Sequence, residues 1–388
     1  MLDELVREKL AATFELGPIR PPSEAHSLLI RATRNCPWNK CQFCNVYKGT
    51  KFELREVEEV IKDIEAAKSI SDGIKEIACE MGYGDGIREV AAQLCSQAQY
   101  GHCVNHVAFW LYAGGESAFL QDSNTLIMRT PELVQVIDFL RRTFPSLNRV
   151  TTYGRSHTAA RKSLEELKEI KQAGLDRVHI GLETGYDPLL SYIEKGCTAN
   201  HHIEGGKKVR EADISLSEYV IPGLGGKKMS REHARETARV LNEINPDYIR
   251  LRSLHIRSNT PLWTRLQDGE FNLQTEDEVV EEIGTFIDNL QVTSYLQSDH
   301  ILNLLMEVEG KLPDDKEKCL NIINDYLSLP DEKRLNFRLG RRAGYYHRLT
   351  DLSDSYKYSE IDRIIKRIYS EGFGSIDEVI LKLKNSFI

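Results

Sequence analysis

The 388-residue chain has no run of about 18 or more apolar residues, the length a helix needs to cross a bilayer. Its opening residues, MLDELVREKL, lack the apolar block of a signal peptide. Excess positive charge is also missing: 51 Lys and Arg stand against 59 Asp and Glu, a formal net charge of −8, so no overall field draws the chain to nucleic acid phosphate. Cysteine is sparse, with 8 in the chain, too few for the disulfide framework of a secreted scaffold. Tandem repeats and low-complexity tracts are absent. These absences point to a folded cytoplasmic protein whose thiols are available for metal or redox chemistry. Apolar residues at 41% and charged residues at 28% are ordinary globular usage, so a sizeable core is expected.

From residue 26 to 265 short β-like runs alternate with amphipathic stretches, the pattern of parallel βαβ units. LLIRAT (28–33), VAFWLYAG (107–114), RVTTYG (149–154), RVHIGL (177–182), SLSEYVIP (215–222) and YIRLRSLHI (248–256) read as six strands. Helix starts phase them: Thr130 ahead of Pro131, Ser163 with Glu166 as a capping box, and Ser230 before a helix that Pro246 ends. This predicts an α/β fold, a doubly wound sheet or an incomplete (β/α) barrel, with ligands at the C-terminal ends of the strands. Residues 1–25 read as a helical extension. Residues 266–388 read as a mainly helical region that caps the barrel, with a capping box at Thr275 and Glu278 and a helix over ILNLLMEVEG.

Cys36, Cys41 and Cys44 form C-x4-C-x2-C directly after the first strand. Three soft ligands within nine residues select zinc or iron–sulfur and leave a fourth position open. Three centres fit this donor set: a structural zinc, although no second C-x2-C follows; a [2Fe–2S] cluster with Cys79 as distant fourth ligand; and a site-differentiated [4Fe–4S] cluster with one iron free for a ligand.

The segment RNCPWNKCQFCNVYKG resembles the radical S-adenosylmethionine (radical SAM) superfamily, whose motif is C-x3-C-x-aromatic-C after the first strand of a partial barrel. Phe43 holds the aromatic position, and the first spacing is one residue longer than usual. Gly114-Gly115-Glu116 is similar to the family's Gly-Gly-Glu element for the methionine amino group. Residues 151–198 resemble a stretch found in relatives of oxygen-independent coproporphyrinogen oxidases and methylthiotransferases. The resemblance implies a partial (β/α)6 TIM-like barrel, a [4Fe–4S] cluster on the three cysteines, and SAM cleaved reductively to a 5′-deoxyadenosyl radical that abstracts a substrate hydrogen. It also implies Glu183 at the ribose or methionine end of SAM, Arg155 at the methionine carboxylate, and reduced ferredoxin or flavodoxin as electron donor. The different-class alternative is a non-catalytic iron–sulfur electron carrier or sensor.

Later proton transfers would need a further group, for which Tyr153, His157, Asp299 and His300 are candidates, although Ser298 or Asp299 also reads as a plain helix N-cap. Cys95, His102, Cys103 and His106 have the composition of a second metal site without its spacing. The run from Pro222 to Lys228 lacks P-loop spacing and reads as a tight turn. Arg250, Arg252 and Arg257 read either as an anion site or as salt bridges to outer helices. Arg341, Arg342, Tyr345 and Tyr346 read as solvated helix surface. The expected substrate is a small molecule, with neither membrane nor nucleic acid as partner.

Overall fold

The computed structural model describes residues 2–84, 86–371 and 375–386. Among the described residues there are ten strands: β1 (Leu28–Arg31), β2 (Thr33–Arg34), β3 (Glu53–Leu54), β4 (Ser117–Gln121), β5 (Arg149–Gly154), β6 (Arg177–Glu183), β7 (Ser215–Val220), β8 (Tyr248–Leu251), β9 (Tyr295–Gln297) and β10 (Gly310–Lys311). Eight of them form one sheet in the order β1-β4-β5-β6-β7-β8-β9-β10, and β2 pairs with β3. The pairs β1–β4, β4–β5, β5–β6, β7–β8 and β8–β9 are parallel, the strand order of a partial (β/α) barrel. Five of the six expected strands are present.

The second expected strand is a helix. Residues 107–114 belong largely to the helix His102–Tyr112, and the strand is the shorter run Ser117–Gln121. Val, Phe, Trp and Tyr make the run strand-like in composition, but Val104, Val107 and Ala108 bury on one helical face. Two start signals also differ. Thr130 lies inside its helix and donates to Glu166 Oε1 (2.8 Å), and Ser230 donates to Glu282 Oε2 (2.6 Å) within a helix that begins at Gly226. Both capping boxes, Ser163–Glu166 and Thr275–Glu278, are formed.

The chain divides into two compact units. One comprises Met1–Lys40, Cys44–Gly181 and Glu204–Leu216; the other comprises Cys41–Phe43, Leu182–Ile203 and Ser217–Ile388. In the first, the long helix Val57–Glu80 buries Val60, Ile64, Ala67, Ile70, Ile74 and Ile77, an i, i+3/i+4 stripe against the helix Thr130–Thr143. Each large side chain so buried stabilises by about 1.5–3 kcal/mol. In the second, Leu189, Ile193, Ile221, Leu224, Leu254, Leu262 and Phe271 form an apolar cluster. Residues beyond 266 are not all helical, because β9 extends the sheet and β10 pairs antiparallel to it. ILNLLMEVEG is a series of turns, and Arg341, Arg342 and Tyr346 are buried rather than solvated. Among the described residues no helix is long and apolar enough to cross a membrane.

Within the first unit a buried carboxylate ties the N-terminal segment to the strands. Glu24 receives hydrogen bonds from Ser27 Oγ (2.6 Å) and Arg149 Nη2 (3.2 Å), and its Oε1 lies 3.2 Å from His179 Nε2. Burial pushes the Glu24 carboxyl up, but the His179 hydrogen bond and the charges of His179 and Arg149 more than offset it and bring it down to about 2. A folded-state value below the unfolded one stabilises above about pH 4.5, and that contribution is lost as pH falls toward 2. Glu24→Gln is expected to cost roughly 3 kcal/mol at pH 7 and to flatten the acid limb of the urea-derived stability curve. An unchanged acid limb contradicts the assignment.

Candidate functional site

The three cysteines lie on a loop whose two ends are zipped together. β2 and β3 pair antiparallel, Thr33 opposite Leu54 and Arg34 opposite Glu53, so residues 35–52 form a closed excursion with no regular structure. Arg34 Nη1 donates to Glu53 Oε1 (2.7 Å) across that base.

The entry to the loop is braced from β4. Asp122, one residue past β4 and fully buried, accepts from Arg31 Nε (2.9 Å), Arg31 Nη2 (2.6 Å) and the Asn35 backbone N–H (3.0 Å). Asn35 immediately precedes Cys36 and has φ +67°, a left-handed conformation that Asn tolerates better than most residues. Ser123 Oγ donates to the Asn35 carbonyl (3.1 Å), and Arg31 Nη1 donates to Glu15 Oε1 (2.7 Å). Inside the loop Asn39, also left-handed, donates from Nδ2 to the carbonyls of Tyr47 and Thr50, while Lys48 Nζ donates to its carbonyl (2.9 Å). The Asn39 backbone N–H donates to Cys36 Sγ (3.4 Å).

Arg155, directly after β5, stacks its guanidinium 5.2 Å from the centre of the Trp38 ring, and its backbone N–H donates to Asn124 Oδ1 (2.9 Å). The expected SAM carboxylate residue therefore touches the cysteine loop. His157 lies two residues on, in the short helix Ser156–Arg161. Tyr153 packs edge-on against Phe119 (5.1 Å) and His179 (6.0 Å), so its ring belongs to an aromatic row across β4, β5 and β6.

In the second unit, Cys41–Phe43 runs beside the segment after β6. Gln42 N–H donates to the Ile193 carbonyl (2.9 Å), and the Gln42 carbonyl accepts from Leu262 N–H (3.0 Å). Phe43 packs on the Leu189–Ile193–Leu262 cluster, with Lys195 Nζ 5.8 Å from its ring centre. Lys195 donates to Glu183 Oε1 (2.8 Å), and Glu183 sits at the end of β6 with φ +65°. Burial pulls the Lys195 ammonium down; the charges of Glu183, Cys41 and Cys197 prevail and hold it above its usual value. Glu218 on β7 is fully buried, and neither carboxyl oxygen has a hydrogen-bond partner. Burial first and the Glu183 charge second push it well above the usual carboxylate range.

The Gly-Gly-Glu assignment is corrected. Gly114 (φ +110°) and Gly115 (φ +67°) close the C-terminus of the helix His102–Tyr112, donating to the carbonyls of Leu111 (3.1 Å) and Trp110 (3.0 Å). Glu116 precedes β4, and its carboxylate accepts from Asn148 Nδ2 (2.9 Å), just ahead of β5. These residues stand at the N-terminal ends of the strands, opposite the ligand end. The polar turn Gln121-Asp122-Ser123-Asn124 occupies the C-terminal end of β4 instead. Its signal in the sequence is the abrupt change from SAFL to QDSN.

Asp299 and His300 also differ from their expected place at a helix start. They follow β9 in a turn, where Asp299 Oδ2 accepts from Arg250 Nη1 (3.1 Å) and His300 Nδ1 accepts from Leu302 N–H (3.3 Å). The four residues considered as a second metal site are held separately: Cys95 donates to Ala92, Cys103 to Phe14, and His106 Nε2 accepts from Leu29 N–H (2.8 Å). Among the described residues no three His, Cys, Asp or Glu side chains are grouped to hold a single metal ion, Cys36, Cys41 and Cys44 included. A cubane takes one thiolate at each of three iron corners rather than three on one atom. All three thiols are half-buried, free of disulfides and carried on irregular backbone, so the donor set fits such a cluster.

Lys195 and Glu183 form a buried pair whose halves depend on one another. Lys195→Met or Glu183→Gln alone is expected to destabilise by roughly 3–5 kcal/mol, and the double variant by clearly less than the sum, in a denaturant double-mutant cycle. Additive losses contradict the pairing.

The Radical SAM superfamily profile matches residues 30–241. Among curated proteins, the chain is 22% identical over 121 residues to a tRNA uridine(34) acetyltransferase of Methanocaldococcus jannaschii, covering 31% of this chain and 22% of that one. It is 24% identical over 118 residues to the uncharacterized protein YtqA of Bacillus subtilis, covering 30% and 36%. The matches thus span about a quarter to a third of these relatives. Solved structures similar to it include coproporphyrinogen III oxidase (HemN) from Escherichia coli, with TM-score 0.43, 12% identity and coverage of 74% of this chain and 54% of that one. Another is the archaeal Methanocaldococcus infernus Elp3, with TM-score 0.40, 14% identity and 54% of each chain. With the family profile spanning more than half of its residues, the chain belongs to the radical SAM superfamily.

Proposed function

We propose that the protein is a radical SAM enzyme in which Cys36, Cys41 and Cys44 ligate a [4Fe–4S] cluster and SAM is the co-substrate. The observation that carries this reading is the cysteine loop itself. Three thiols sit on irregular backbone closed at its base by β2–β3, with Asn35 pinned to buried Asp122 immediately before the first of them. When bound, the cluster and SAM supply reductive cleavage to methionine and a 5′-deoxyadenosyl radical.

The chain's own residues have positional work. Phe43 and Lys195 fix the Cys41 side of the loop, while Trp38 and Arg155 flank the other. The Arg155 guanidinium suits the methionine carboxylate. Glu183 is a second candidate for SAM, at the C-terminal end of β6 and 2.8 Å from Lys195 Nζ. Tyr153 and His157 remain the candidates for a proton or hydrogen transfer at the substrate, since both follow or end β5. Reduced ferredoxin or flavodoxin is the proposed electron donor, a small molecule the proposed substrate, and the cytoplasm the proposed location.

Anaerobic reconstitution tests the reading. The wild-type chain is expected to hold about four irons and to release 5′-deoxyadenosine from SAM under dithionite, and Cys36→Ala, Cys41→Ala and Cys44→Ala each to lose both. Arg155→Ala is expected to keep the iron while raising the SAM concentration needed for half-maximal cleavage about tenfold or more. A carrier or sensor would hold iron without cleaving SAM, and that result overturns the proposal.

A further inference from the structure

Beyond the cysteine loop, the second unit gathers cations where β8 and β9 end. The two strands are parallel with Arg250 opposite Gln297, so the turns that follow them emerge side by side. Asn303 clamps these turns together. Its Nδ2 donates to the Leu251 carbonyl (2.8 Å), and its Oδ1 accepts from Ser253 N–H (2.8 Å) and Ser253 Oγ (3.0 Å), so Arg252 is held between two anchored residues. Arg342 fixes the other turn by donating to the carbonyls of Ile301 (3.0 Å) and Leu302 (2.9 Å), immediately after His300.

The acids within reach are already engaged. Asp299 accepts from Arg250, and Glu276 accepts from Arg342 with Lys384 Nζ 3.5 Å away. Arg252, exposed, and Arg257, half-buried, have side chains that make no hydrogen bond or ion pair with other described residues. His255 lies between them in sequence. Burial, then Lys384, Arg257 and Arg252, pull its imidazole down to about 4. Burial, then Arg252, Arg342 and His255, do the same for His300. Both rings are therefore neutral near pH 7, and with His300 Nδ1 accepting from Leu302, its proton sits on Nε2 as a donor. The turn after β8, clamped by Asn303, thus carries two guanidiniums whose charge no acid of the described residues balances.

We propose that the turns after β8 and β9 bind a phosphate or diphosphate group of the substrate, with Arg252 and Arg257 as charge partners and His255 and His300 as neutral N–H donors. Two separate guanidiniums and two donors match a polyanionic group with several acceptor oxygens better than one carboxylate, which a single bidentate arginine satisfies. The two arginines are concentrated on one turn rather than spread as a stripe, and the net charge is −8, which favours a small phosphate ester over a nucleic acid backbone. The proposal depends on the radical SAM reading only in calling the ligand a substrate.

The test titrates inorganic pyrophosphate into the full chain without added iron, followed by calorimetry and by NMR of labelled histidine. Saturable binding of one pyrophosphate per chain is expected, with the His255 and His300 resonances moving together. Arg252→Ala with Arg257→Ala is expected to weaken binding at least about tenfold, Arg252→Lys with Arg257→Lys less so, and Arg363→Ala on a distant exposed helix not at all. No saturable binding, or wild-type affinity in the double alanine variant, overturns the site. Pyrophosphate binding unaffected by the double variant, with transfer RNA binding abolished by it, also overturns the site in favour of RNA. Iron content and SAM cleavage are read on the same preparations, so loss of SAM chemistry with pyrophosphate binding intact counts against the enzyme reading alone.

Discussion

A buried carboxylate holds the thiol-bearing loop in place. Asp122 sits just past β4, and through Arg31 and the Asn35 amide it fixes the residue before Cys36 in a left-handed conformation. Removing Arg31 would leave the fully buried Asp122 carboxyl without its guanidinium partner, whereas Arg31 also pairs with Glu15. The loop needs such an anchor because irregular backbone has no ladder of its own to set its geometry. Pairing of β2 with β3 and the Asn39 contacts to Tyr47 and Thr50 supply the remaining constraints.

Functional side chains in each unit follow one logic. The strands set direction, and polar turns at their C-terminal ends carry the residues proposed for the chemistry. Asp122, Arg155, Glu183, Arg252 and His300 all lie within a few residues of a strand end. Glu116 lies before its strand, and its carboxylate accepts from Asn148, which also precedes one. Chemistry and structural closure are thus separated along the strand axis, as parallel α/β folds require.

Much of this was legible in the sequence because its signals are local. RVTTYG coincides with β5, and the Ser163–Glu166 and Thr275–Glu278 boxes form as their spacing requires. Errors arose where local patterns are degenerate or where partners are distant. VAFWLYAG has strand composition on a helical burial face, and that misplacement carried the Gly-Gly-Glu tripeptide to the wrong end of β4. The Arg31–Asp122 brace links residues 91 positions apart, and Asn303 reaches 50 positions back to Ser253, so neither could be seen from spacing. Glu218 was visible as a lone acid in an apolar strand, yet only the fold reveals that it is buried without a partner.

The central claim is that the loop presents a cluster with one iron open to SAM. Electron paramagnetic resonance of the anaerobically reconstituted, reduced protein, recorded with and without SAM, tests it most directly. A reduced [4Fe–4S] signal whose g-values shift on adding SAM, and do not shift with adenosine, which lacks the amino acid moiety, is the predicted result. A signal indifferent to SAM, or one characteristic of a [2Fe–2S] centre, would contradict it.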